Sequence, residues 1–260
     1  MRWRRLAAIG LPGFVVAGLA VGCAMTNRVL KAEPAPDSGF LENADQMKEH
    51  RERAPFNRTW VDPAYSPSNY QSILVAPVNT DYALAESTWA KTNVRNLFVS
   101  DVKQDLDMIA GEFRETVIEK FKASKENRFV LVETADDDTA ILELAITELV
   151  PGKAFLGTIG LAAWAAPLPV GVPVGIAAAF AQSGWTAIEG RVRDAKTGKV
   201  VAMFADREAA KTRVVDLQAL TWYGHARESM SDWGDQFVLL ANTPESVQVE
   251  DTSAFTLMPW

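Results

Sequence analysis

One thiol, two imidazoles and a run of three carboxylates are the side chains of this 260-residue chain that chemistry would recruit first. Cys23 is the only cysteine, so no internal disulfide forms. With only His50 and His225 beside it, the chain lacks the ligands for a Cys/His zinc site and the makings of a Cys–His nucleophile pair. Asp136, Asp137 and Asp138 offer oxygen ligands to a hard cation. Adjacent side chains diverge, however, and an acidic turn before a strand accounts for them more simply. His225 has no Ser or Cys motif that could be tied to it, so it reads as a helix-surface or interface histidine. There is no P-loop, no GxGxxG after a strand, no HExxH and no GxSxG. The expectation is a protein that is not an enzyme, with no catalytic residues, no metal and no cofactor. Acidic side chains outnumber Lys and Arg, 33 to 26, so nucleic acid is not an expected partner.

The thiol gains its meaning from position. Arg2, Arg4 and Arg5 precede an uncharged run, residues 6–21, of mostly Leu, Ala, Val, Ile and Gly. That is the length of a signal-peptide core, and Pro12 and Gly13 weaken it as a spanning helix. The run ends Leu19-Ala20-Val21-Gly22-Cys23, which resembles the bacterial lipobox, with Ala20 where the pattern prefers Leu. Small residues let such a segment lie extended in a peptidase cleft. The Cys then becomes the first mature residue and is acylated, palmitate being one such chain. Each buried acyl CH₂ contributes about 0.8 kcal/mol, so several chains make a firm membrane anchor. Ala24, rather than Asp, follows the Cys; the resemblance to enterobacterial-type lipoproteins then implies the outer membrane, facing the periplasm. Removal of residues 1–22 takes away three arginines and no acid, so the net charge moves from −7 to −10.

The elements that would carry the rest follow from periodicity. Residues 23–69 read as lipidated N-terminus, tether and lead-in, because Pro34, Pro36, Pro55, Pro63 and Pro67 interrupt regular structure. A globular domain is expected over 70–243 and a tail over 244–260. Residues 70–78 contain the apolar run Ile73-Leu74-Val75-Ala76 of a strand covered on both faces. Residues 101–122 form a helix, with Val102, Leu106, Ile109, Phe113 and Val117 along one stripe and a capping box from Asp101 to Gln104. Residues 129–132 are a short strand, and 139–150 alternate Leu142, Leu144, Ile146 with Glu143, Ala145, Thr147. Residues 185–192 and 199–206 make a hairpin around the turn Asp194-Ala195-Lys196-Thr197-Gly198. On it, Glu189, Arg191, Arg193 and Asp206 read as a structural cross-strand charge network. Residues 216–240 form a last helix, with Ala219, Tyr223, Ala226, Met230, Trp233 and Phe237 as its core stripe, stopped at Asn242-Thr243-Pro244. This order gives an α/β or α+β fold: a mixed β-sheet with packed helices.

Between Lys153 and Glu189 stand 35 consecutive uncharged residues. Pro167, Pro169 and Pro173 divide them, so an apolar helical hairpin insert (residues 154–184) is expected rather than a membrane span. Phe155, Leu156, Ile159, Leu161, Trp164, Val170, Val174, Ile176 and Phe180 are its candidate contact residues. Three readings stay open: a surface against the membrane beside the anchor, a surface for self-association or an envelope protein partner, or core folded over the sheet.

Several of these features occur together in one family. Cys23 with its lipobox, Ser38-Gly39-Phe40-Leu41, the patch from Trp60 to Pro63, Tyr70 before Ile-Leu-Val-Ala-Pro-Val, the hairpin Glu189-Gly-Arg-Val-Arg-Asp-Ala-Lys-Thr-Gly, Asp206-Arg207 and Trp233-Gly-Asp are quoted in order along the chain. The sequence thereby resembles the proteobacterial lipoproteins of domain-of-unknown-function family 3313, across roughly residues 38–242. The family supplies no catalytic residue to transfer. The expected role is a non-catalytic, lipid-anchored envelope module held to the membrane through Cys23, or alternatively an auxiliary, lipid-binding subunit of an envelope transport system.

Overall fold

Residues 34–49, 54–86, 95–150, 185–209, 223–244, 247 and 249 are described by the computed structural model. Three long strands make the centre of the sheet: β4 (Thr139–Val150), β5 (Trp185–Asp194) and β6 (Val200–Ala209). They run antiparallel to one another. The β5–β6 turn closes as its sequence requires. Asp194 Oδ1 accepts from the Thr197 amide at 2.6 Å and from its hydroxyl at 2.7 Å, and Gly198 takes φ +70°. β2 (Ser72–Val75) lies parallel to β4 and to the two-residue β3 (Val130–Leu131), while β1 (Arg58–Val61) flanks β6 antiparallel. The order β1-β6-β5-β4-β2-β3 defines a mixed six-stranded sheet of the α+β class.

Both long helices cover one face of this sheet. In α2 (Arg95–Ala123), which follows the short α1 (Asp81–Glu86), Leu106, Ile109, Phe113, Val117 and Phe121 are each at most 3% exposed. In α3 (Gly224–Asn242), Ala226, Met230, Trp233 and Phe237 are buried, as is Tyr223 just before it. These stripes meet Leu142, Leu144, Ile146, Ile188 and Phe204 of the inner sheet face in one apolar core. The helices lie side by side in the same direction. Tyr223 Oη donates to Asp105 at 3.0 Å, Arg227 Nε to Glu112 at 2.7 Å and Lys120 Nζ to Asp235 at 2.7 Å. Gly234 permits the approach, since a Cβ there would lie 3.1 Å from Lys120 Cγ.

Sequence and structure differ at two element boundaries. α2 begins at Arg95, six residues before Asp101, so the expected capping box falls inside the helix. The chain also joins the sheet before residue 70, within what reads as a lead-in. Phe56 stacks on Phe204 with ring centroids 4.6 Å apart, and Phe40, Leu41 and Met47 are buried on the opposite sheet face. Lys48 and Thr59 exchange backbone hydrogen bonds of 2.9 Å, which covers the free edge of β1. A four-residue strand set between Pro55 and Pro63 is too short for alternation to reveal it.

Cys23, the signal segment, the start expected for the last helix at 216 and the whole insert over 154–184 lie outside the described residues. Among those described, no helix is long and apolar enough to cross a membrane.

Candidate functional site

The polar side chains that converge in this fold do so on the sheet face away from α2 and α3, under the segment 38–48. Register explains the convergence. Glu143 of β4 stands opposite Arg191 of β5, and Glu189 stands opposite Ala205 of β6. Ala145 and Ala205, both buried, leave room above the sheet for Phe40, Leu41 and Met47 to settle. Ser38 ties the segment down: its amide donates to Glu189 Oε1 at 2.9 Å and its hydroxyl to Oε2 at 2.7 Å. Arg191 reinforces it, with Nη1 donating to the Phe40 carbonyl at 3.1 Å and the guanidinium 4.6 Å from the Phe40 ring centroid. Tyr82 meets the same ring edge-on at 5.4 Å. Arg58 pairs with Asp37 at the start of the segment.

Two arginines share the Glu143 carboxylate. Arg191 Nε donates to Oε2, and Arg193 donates from Nη2 to Oε2 at 3.3 Å and from Nε to Oε1 at 3.4 Å. Burial alone would raise the Glu143 pKa. The hydrogen bonds and charges of Arg191 and Arg193 outweigh it and hold the carboxyl below its ordinary range. A carboxylate fixed in this way is a poor proton donor.

A second charged pair lies further along the same face. β4 carries a bulge: Ile146 pairs with Ile188 but Glu148 pairs with Ala187, so Thr147 is the extra residue. This irregularity turns Glu148 outward, where its Oε2 lies 2.9 Å from Arg207 Nη2. The Arg207 guanidinium in turn sits 4.7 Å from the Trp185 ring centroid.

The expected charge network is thus rearranged. Arg191 and Arg193 take Glu143, Glu189 takes Ser38, and Asp206 is not a member. Asp206 pairs in register with Ile188 and faces the helices, 2% exposed, where it accepts from Trp233 Nε1 at 2.8 Å and the Asn57 amide at 3.0 Å. Parity misleads here because β6 has its own register shift before Ala202. Asn57 is equally buried, and its Oδ1 accepts from the Arg207 amide at 3.1 Å.

The acidic triplet is a turn. Asp136 Oδ1 accepts from the Thr139 hydroxyl at 2.6 Å and the Asp138 amide at 3.1 Å, and the Thr139 bond lowers its pKa. Asp137 pairs with Lys196 at 3.0 Å. Among the described residues, no group of three or more His, Cys, Asp or Glu side chains is placed to hold a metal ion. His225 lies in the first turn of α3.

The family motifs quoted from the sequence therefore touch: Ser38-Gly39-Phe40-Leu41 packs on the Glu189-Gly-Arg-Val-Arg strand, and Asp206 bonds to Trp233. The sequence marks Glu143 only as a polar position in the β4 alternation, and the bulge hides the side on which Glu148 emerges.

A family model described as "Protein of unknown function (DUF3313)" matches residues 36–237. No curated protein matches the chain significantly. Among solved structures, the PelC dodecamer from Paraburkholderia phytofirmans is similar at a TM-score of 0.33 and 11% identity, covering 71% of this chain and 94% of that one. Protein XCC0632 from Xanthomonas campestris is similar at a TM-score of 0.35 and 11% identity, covering 72% and 88%. Lipoprotein GNA1162 from Neisseria meningitidis is similar at a TM-score of 0.19 and 13% identity, covering 57% and 89%.

Proposed function

Because the chain belongs to the DUF3313 family of proteins of unknown function, we propose a role from its own residues: it is a lipid-anchored protein of the cell envelope that works by contact rather than by catalysis. The observation that carries this reading is the lone Cys23, placed at the end of Leu19-Ala20-Val21-Gly22 after an arginine-led uncharged run. Residues 1–22 are the signal, and Cys23 carries acyl chains that hold the body to the outer membrane on its periplasmic side. The paired carboxylates favour the same reading, because Glu143, Glu189 and Glu148 are engaged in holding the fold. The uncharged insert over 154–184 supplies the contact surface, toward an envelope protein or a second copy of the chain.

The test is mass spectrometry of the mature N-terminus together with membrane fractionation. An N-terminal acylated Cys23 in the outer-membrane fraction is expected, and Cys23→Ser shifts the protein out of that fraction. Recovery of an unprocessed, acyl-free chain in the cytosol would overturn the proposal.

The same uncharged run also favours a second reading, an auxiliary subunit of an envelope transport system that shelters an apolar ligand. Lipid co-purifying with the protein, and lost on deletion of residues 155–180, would select it.

A further inference from the structure

We infer that the C-terminal segment, residues 250–260, docks against the open β3 edge of the sheet and covers the apolar strip beside it on the outer face. The inference goes beyond the lipid-anchor reading and does not rest on it.

Register builds the strip. On β2 and β4, Ile73, Val75, Ala140 and Leu142 belong to the core under the helices, so Leu74 and Ile141, paired with each other, face the opposite way. On β3, Leu131 packs inward, which turns Val130 outward, where it is 65% exposed. Val132 follows on the same side, its amide donating to the Ile73 carbonyl at 3.0 Å. Phe40, Leu41 and Met47 cluster with Ala145, Met203 and Ala205, away from this end of the face. Among the described residues, Leu74, Val130, Val132 and Ile141 belong to neither apolar cluster. β3 is also the last strand of the sheet. The Val130 and Val132 amides both turn to β2, so the N–H and C=O of Leu131 between them point to the open edge. An open edge beside exposed apolar side chains is a place where another segment of chain adds.

The chain leaves α3 at this corner. The Arg128 amide donates to Asn242 Oδ1 at 2.9 Å and its Nε to the Ala241 carbonyl at 3.2 Å, which seats the end of α3 two residues from Val130. The chain then turns, the Val247 amide donating to the Pro244 carbonyl at 2.9 Å, and is back against the body at Val249, which is buried. The residues that follow, 250–260, reach up to about 40 Å when extended. The strip crosses only two strand spacings, about 10 Å. After Asp251 the segment carries no charge and holds Phe255, Leu257, Met258 and Trp260. Extended chain would set Phe255 and Leu257 on one side, so that both meet the strip.

Two other occupants fit this corner less well. A second copy joined symmetrically here would bring its own Glu133, Asp136 and Asp138 against the same acids, and a two-residue edge offers little ladder to another sheet. The uncharged insert leaves at Val150 and returns at Trp185, at the other end of β4 from Ile141 and about 30 Å along it. The C-terminal segment starts at the border of the strip and meets it with uncharged residues.

Cysteine pairs in the full chain carrying Cys23→Ser read the docking directly. Val130→Cys combined with Phe255→Cys or Leu257→Cys should close a disulfide within one chain under mild oxidation, seen as a monomer on a non-reducing gel and as an internal crosslink by mass spectrometry. Val61→Cys is the matched control, since Val61 is 52% exposed but lies on β1 at the opposite edge of the sheet. Its disulfide with either partner should form about tenfold more slowly. Hydrogen exchange over residues 129–133 is the second measurement. Phe255→Asp and Leu257→Asp together, in the full chain, should speed exchange there about tenfold and leave β5 and β6 unchanged. A disulfide between two chains would give the strip to a second copy, and one from Val130→Cys to Trp164→Cys would give it to the insert; either result overturns the inference. Equal rates at positions 130 and 61, or exchange over 129–133 that the aspartates leave unchanged, overturn it as well.

Discussion

Gly190 stands opposite Phe204 in the β5–β6 ladder, and a Cβ at 190 would fall 2.1 Å from Phe204 Cζ. The ring cannot retreat, because Phe56 stacks on it and Phe237 lies 5.3 Å away. Gly190→Ala should therefore cost about 1–3 kcal/mol by overpacking, read as a lower urea midpoint. Phe204→Leu in the same chain should return part of that loss, a coupling that a double-mutant cycle isolates. Glu143 gives a prediction in pH. Burial raises its pKa, but the hydrogen bonds from Arg191 and Arg193 prevail, so the folded carboxyl binds its proton more weakly than the unfolded one, whose ordinary value is 4.5. Stability from this group is complete above that value and drains away as pH falls through the folded pKa. Glu143→Gln should thus destabilise the protein at neutral pH, and the gap to the parent should close in acid; urea denaturation at both ends of that range measures it, and a gap that stays constant would refute the assignment. Residue types alone marked Gly190, Arg191 and Arg193 as members of one hairpin, but not the ring above the glycine or the carboxylate between the arginines. Both belong to neighbouring strands, and a side chain on another strand leaves no trace in local periodicity.

At the scale of elements, the strands β4, β5 and β6 were legible because alternation, a Gly-ended turn and the apolar stripes of α2 and α3 agree with one another. Their faces were less so. One unpaired residue, Thr147, reverses the parity of everything after it in β4. Deleting Thr147 removes the extra residue and makes the ladder regular, with Glu148 following Ile146 directly, still opposite Ala187 and on the Arg207 side. The ion pair should therefore survive the deletion: Glu148→Gln should cost about 1–3 kcal/mol in the parent and in the deletion variant alike, read by urea denaturation. A Glu148→Gln effect that vanishes in the deletion variant would mean that Glu148 has left the side of Arg207. β1 and the segment over 38–48 were hidden for a different reason: their pattern is carried by Phe40, Leu41, Met47 and Phe56, spread among prolines and loops, and only the assembled sheet gives those residues a common direction.

For the whole molecule, the open question is whether the uncharged insert belongs to the core. The inner sheet face is filled by the stripes of α2 and α3, and much of the outer face by Phe40, Leu41 and Met47. The insert leaves from Val150 and returns at Trp185, which are paired in the ladder and so lie about 5 Å apart. Removing residues 155–180 leaves eight residues between them, enough to turn a hairpin. Shortening the connection from 34 residues to eight lowers its closure entropy by about 1 kcal/mol. Exposure of the uncharged residues 154–184 to water is an aggregation liability that only an external contact, or burial in the body, would relieve. The two possibilities separate cleanly in the deletion variant. With the surface reading, the variant stays soluble, keeps its unfolding free energy from urea denaturation to within about 1 kcal/mol, and loses its crosslinked partners or its bound lipid. With the core reading, it precipitates or unfolds at lower urea. Among the described residues, α2 and α3 already fill the inner face and Phe40, Leu41 and Met47 much of the outer one, and that favours the first result.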